Sequence, residues 1–192
     1  MATTNTPIGR ILLRDVRLAF PNLFEPTTVA GEGKPRYSAT LIIPADHPQL
    51  DDIRAAQLAV AMGKWATKAP AIVKGLDKQD KLALHDGDTK SKYDGFPGNF
   101  FISAASQENA TPTVIDRDRS PLSARSGRPY AGCFVNASID LWAQDNSYGQ
   151  RINAQLRGIQ FLRDGDSFSA GRPADADEFD EVTEGADADE FA

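Results

Sequence analysis

The chain has 192 residues, one cysteine (Cys133), and 21 basic against 27 acidic side chains, for a net charge of −6. This length can bury a substantial core within one domain, and a lone cysteine excludes an intramolecular disulfide and suits a reducing cytosol. No apolar run reaches the length of a membrane span, and the polar start MATTNTPIGR does not read as a signal peptide.

Residues 1–7 read as a disordered lead to a folded domain over 8–173. Gly9–Phe20 (GRILLRDVRLAF) alternates, with Leu12, Val16, Leu18 and Phe20 on one parity, and predicts a strand that stops at Pro21. The turn-rich PNLFEPTTVAGEGKP reads as a loop. RYSATLIIP, β-branched and aromatic up to Pro44, predicts a second strand. The period then changes. Asp46 suits an N-cap and Pro48 a first turn, and Leu50, Ile53, Val60, Ala61 and Trp65 form one stripe, so a helix is predicted over about 46–68.

Residues 69–97 read as irregular and lysine-rich. Strands resume with NFFISAAS and PTVID, and RDRSPLSARSGR reads as a mobile loop. PYAGCFVNASIDLWAQ is the longest strand candidate, followed by YGQRINAQLRGIQFLRDG with Gly158 as a bulge. Many strands and one helix joined by polar loops predict a mainly β architecture, a small antiparallel barrel. The last nineteen residues, 174–192 (ADADEFDEVTEGADADEFA), carry nine acids and no base. That composition predicts disorder. Without it the chain has 21 basic and 18 acidic groups, so the folded part is mildly cationic at +3.

The strand from Tyr130 to Trp142 carries the sharpest functional signal. Side chains alternate faces along a strand. Cys133, Val135, Ala137, Ile139 and Leu141 are all apolar, whereas Tyr130, Phe134 and Trp142 alternate with Asn136, Ser138 and Asp140 on the opposite parity. A sheet face that mixes rings with polar groups suits the stacking of unpaired bases. Cations flank it in two segments. One loop holds Arg117, Arg119, Arg125 and Arg128, and the irregular region holds Lys90 and Lys92 beside Tyr93. Such groups neutralise phosphates. In the tail, Phe179 and Phe191 stand among acids that include Asp189 and Glu190. An acidic peptide with spaced rings can imitate a nucleic-acid strand or dock on a protein partner.

Catalytic readings are poorer. His85, Asp86, Gly87 and Asp88 could hold a divalent ion as nucleases do, but Asp-Gly-Asp is first a turn signature. With His47 the only other histidine, zinc sites and His-based triads have few candidates. There is no phosphate-cradling glycine loop. No catalytic residue, metal or cofactor is expected.

Taken in order, FPNLFEP (20–26), YSATLIIP (37–44), HDGDTKSKYDGFPGNFFISAAS (85–106), PTVIDRD (112–118), YAGCFVNASIDLWAQD (130–145) and LRGIQFLRDGD (156–166) resemble a family of phage single-stranded-DNA-binding proteins once catalogued as a domain of unknown function. The resemblance spans nearly the whole chain and includes the acidic tail. It implies an OB-type barrel with a helical insertion, acting in phage DNA replication or recombination within the bacterial cytoplasm. Its tail would recruit phage or host replication proteins. One departure is that Ala192 follows Phe191. The alternatives are a non-catalytic DNA mimic and a metal-dependent nuclease. The sequence leaves open DNA against RNA, and monomer against dimer.

Overall fold

The computed structural model describes residues 7–29 and 31–168. The acidic segment, with Phe179, Asp189, Glu190 and Phe191, lies outside them. Among the described residues seven strands and two α-helices follow one another: β1 (Arg10–Val29), β2 (Glu32–Ile43), α1 (Leu50–Trp65), α2 (Ala69–Lys78), β3 (Leu84–Asp86), β4 (Phe100–Gln107), β5 (Thr113–Ile115), β6 (Phe134–Asn146) and β7 (Gly149–Arg163).

Five strands form a ring in the order β4-β2-β1-β6-β7, with β3 beside β4 and β5 beside β7. The neighbours around the ring are antiparallel. A short parallel contact closes it, Ala104 facing Ala154 and Ala105 facing Gln155. A ring of five strands is an OB-like plan, and the two helices are inserted between its second and third strands. Inside lie Leu13, Leu18, Leu41, Ile102, Val135, Ile139 and Leu156, and α1 adds Leu50, Ile53, Val60 and Ala61 to the same apolar cluster. Cys133 is buried with them, and burial pushes its thiol up.

β1 departs most from the alternation read in the sequence. Leu13 pairs with Ala137 but Val16 pairs with Val135, so β1 advances three residues while β6 advances two. The extra residue is a bulge at Asp15, whose φ is +52°. It flips parity. Ile11 and Leu13 point inward before it and Val16 and Leu18 after it, which leaves Leu12 exposed. A second irregularity between Ala19 and Asn22 turns Phe20 outward, at 47 % exposure. Pro21 does not end the strand. The segment expected as a loop after it is a β-arm in which Thr27 faces Arg36 and Val29 faces Glu32.

The helix starts at Leu50, later than expected, and Asp46 does not cap it. Gln49 occupies the cap position but points its amide at β1, accepting from Arg14 N–H at 2.8 Å and donating to Leu12 C=O at 2.9 Å. Docking onto the bulged strand thus takes the place of a side-chain cap. Beyond Trp65 one 3-10 turn leads into α2, which the irregular reading of 69–97 missed. Ile72, Val73 and Leu76 carry its apolar face. Gly158 does sit at a bulge between β6 and β7, and a Cβ there would lie 2.9 Å from Thr113 C=O on the neighbouring β5.

Candidate nucleic-acid interface

β6 forms by the alternation expected of it, from Phe134 onward. Val135, Ala137, Ile139 and Leu141 are buried, and Phe134, Asn136, Ser138, Asp140 and Trp142 face outward. Tyr130 precedes the strand, in a turn that ends at Gly132 and Cys133. Phe134 and Trp142, eight residues apart, are therefore separated by about 26 Å along the strand.

β1 and β7 flank this face and bring arginines that the sequence reading did not select. Arg10 grips Asp140 through Nε at 2.8 Å and Nη2 at 3.1 Å, and Arg157 reaches the same carboxylate at 3.2 Å. Hydrogen bonding from Arg10 holds the Asp140 carboxyl below its ordinary range, with the charges of Arg10 and Arg157 adding to the effect. Arg163 lies over the Phe134 ring at 3.6 Å and pairs with Asp15. Arg17 bonds through Nε to Gly132 C=O and through Nη2 to Asp166 C=O. Three of these guanidinium groups meet two carboxylates and Arg17 meets only carbonyls, which leaves a cationic excess among them.

The three rings expected on this surface stand in different conditions. Trp142 is open, at 45 % exposure. Phe134 is half-buried beneath Arg163. Tyr130 is half-buried, donating to Asp164 and to Gly165 C=O, and burial raises its phenol above the ordinary range.

A second wall adjoins the first. Phe20 meets Tyr93 edge-on at 5.2 Å, and both are exposed. Phe96 and Phe101 lie buried behind them. Lys90 holds its ammonium 4.6 Å from the Phe101 ring centre and 5.9 Å from that of Phe20, and Lys92 lies 5.0 Å from Tyr93. Lys90, Lys92 and Tyr93 are therefore brought together, with Phe20 as an unforeseen partner. Phe168 joins the walls. It packs on the Phe96–Phe101 cluster and covers Arg17 at 4.3 Å.

The arginine loop is less uniform. Arg117 and Arg125 are exposed, whereas Arg128 pairs with Asp116 and lies over Phe161 at 5.1 Å. The His85–Asp88 run makes a turn. Asp86 accepts from Asp88 N–H, Asp88 accepts from Gly98 N–H, and His85 stacks on Phe101. Among the described residues no group of three or more His, Cys, Asp or Glu side chains is placed to hold a metal ion. No helix among them is long and apolar enough to cross a membrane.

Residues 9–192 match the family model described as the single-stranded-DNA-binding protein of Enterobacter phage Enc34. The chain belongs to that family. It is 44 % identical over 177 residues to putative protein p50 of Acyrthosiphon pisum secondary endosymbiont phage 1, covering 91 % of this chain and 94 % of that one. Among solved structures, the bacteriophage Enc34 protein in complex with single-stranded DNA superimposes with a TM-score of 0.69 at 28 % identity, over 83 % of this chain and 89 % of the other. The single-stranded-DNA-binding protein gp2.5 of bacteriophage T7 shares the fold at a TM-score of 0.54 and 12 % identity, over 86 % of this chain and 98 % of the other. Membership in the Enc34 family fits a barrel that turns arginines and rings outward.

Proposed function

We propose that this member of the Enc34 family binds single-stranded DNA with little regard to sequence, in phage DNA replication or recombination inside the bacterial host. The observation that carries the reading is the joined surface of rings and cations, from Phe20, Tyr93 and Lys90 across Arg17 to Phe134 and Trp142. Rings stack on any base, and arginine and lysine neutralise phosphates without reading sequence. Arg117, Arg125 and Lys92 extend the cationic border, while Arg128 serves it from its pairing with Asp116. The acidic segment 174–192, with Phe179, Asp189, Glu190 and Phe191, competes for the same surface when DNA is absent and recruits replication proteins when DNA displaces it.

The test is binding of labelled oligo-dT and of a duplex of equal length across a salt series, with and without magnesium. The expected outcome is preference for the single strand, intact oligonucleotide in magnesium, and an affinity that falls about 0.7 log units per decade of salt for each phosphate neutralised. Cleavage in magnesium would favour a nuclease. No affinity for either DNA would favour a protein-binding mimic.

A further inference from the structure

The last described residues do not leave the barrel directly. After β7 the chain turns back over the end of β6 as a strap, 164–168, for which the fold has a seat. Phe168 N–H donates to Ala131 C=O at 2.9 Å. Gly132, at φ +105°, leaves no room for a side chain, since a Cβ would lie 2.0 Å from Asp166 C=O. Gly95 likewise opens space for the Phe168 ring, which a Cβ there would approach to 2.8 Å.

Seated in this way, the Phe168 ring lies over the Arg17 guanidinium at 4.3 Å. The guanidinium is held in place by two backbone carbonyls, and among the described residues it makes no ion pair. A fixed, planar, unneutralised cation of this kind stacks well on a flat π system, and a nucleobase offers one as readily as a phenyl ring does. Arg17 also stands where the Phe20–Tyr93 wall meets the Phe134 face. A strand crossing from one wall to the other passes over it.

We infer that Arg17 is a base-stacking platform at the middle of the DNA path, and that Phe168 occupies the base position until DNA displaces it. This rests on the single-stranded-DNA reading above and adds two residues to it. Phe168 also lies six residues before the acidic segment 174–192 begins. Lifting Phe168 off Arg17 therefore moves the root of that segment, so base stacking and tail release become one event.

The experiment uses the full-length chain and oligo-dT. Phe168→Ala should bind about 3- to 10-fold more tightly, because one competitor for Arg17 is gone. Arg17→Gln should bind roughly tenfold more weakly, and in that background Phe168→Ala should bring no gain, since ring and base compete for the same group. Hydrogen exchange on the unmodified protein supplies a readout independent of any folding defect. The Phe168 amide should exchange faster when DNA binds, while the amides of β6 slow down. If Phe168→Ala binds equally or more weakly, or if DNA protects the Phe168 amide, the ring is a fixed part of the fold or of the DNA site and the displacement idea is wrong. If the unmodified chain fails to bind oligo-dT at all, the DNA-binding reading itself fails, an outcome distinct from normal binding that Phe168→Ala leaves unchanged.

Discussion

Phe134 and Trp142 share a face of β6 yet differ in what holds them. Trp142 offers its ring to solvent at 45 % exposure. Phe134 is roofed by Arg163 at 3.6 Å, and a Cβ on Gly165 would lie 2.9 Å from its edge. An open ring that stacks on bases contributes about 1–3 kcal/mol to binding and little to folding. Replacing Trp142 by alanine should thus weaken oligo-dT binding by about 5- to 100-fold and leave the thermal midpoint nearly unchanged. Phe134→Ala should lower both, because it removes packing as well as the Arg163 contact. Anisotropy titration alongside thermal denaturation separates the two. A lost thermal transition in Trp142→Ala would place that ring in the core instead.

At the level of elements, legibility followed the regularity of each backbone. β6 could be read because every inward position from Val135 to Leu141 is apolar, and its stretches 135–138 and 139–146 each keep register with β7. β1 could be read as a strand but not for its faces, because the bulge at Asp15 inverts the meaning of alternation halfway along, and nothing in RDVRL announces it. α2 escaped because it is only ten residues long and contains Gly75, although Pro70 suits its first turn and Ile72, Val73 and Leu76 share one face; burial of Ala69 and Leu76 supplies what length and propensity lack. The candidate interface divides the same way. Lys90, Lys92 and Tyr93 are close in sequence and can be read together, whereas Arg17 meets Phe134 through the pairing of β1 with β6 and meets Phe168 only because the strap folds back over β6. That fold-back depends on the turn before β6. Gly132→Ala would force a side chain into φ +105° and against Asp166 C=O, so it should destabilise the domain by about 1–3 kcal/mol and speed exchange at the Phe168 amide. Urea denaturation and hydrogen exchange test both effects. Unchanged stability and unchanged exchange would mean that the strap is seated by something other than this glycine.

Across the whole molecule, the charge separates into a cationic folded part and an anionic end. Removing 174–192 changes the formal charge from −6 to +3. If that segment competes with DNA for one surface, its covalent linkage to the domain makes it a strong competitor, because linkage over a few residues gives a local concentration in the millimolar range. The competition is electrostatic and must weaken with salt. Deleting 174–192 should therefore raise oligo-dT affinity most at low ionic strength, and the two salt dependences should converge as salt increases. A general charge effect would give the same trend, since any added acid repels a polyanion. The two are separated by supplying the segment in trans. A synthetic 174–192 peptide at millimolar concentration should inhibit the truncated protein. The same peptide with Phe179 and Phe191 replaced by serine keeps all nine acids and should inhibit less, because it has no ring to place where a base would stack. Equal inhibition by both peptides would reduce the tail to a diffuse repulsive charge. No inhibition by either, with no gain on truncation, would leave the surface to DNA alone.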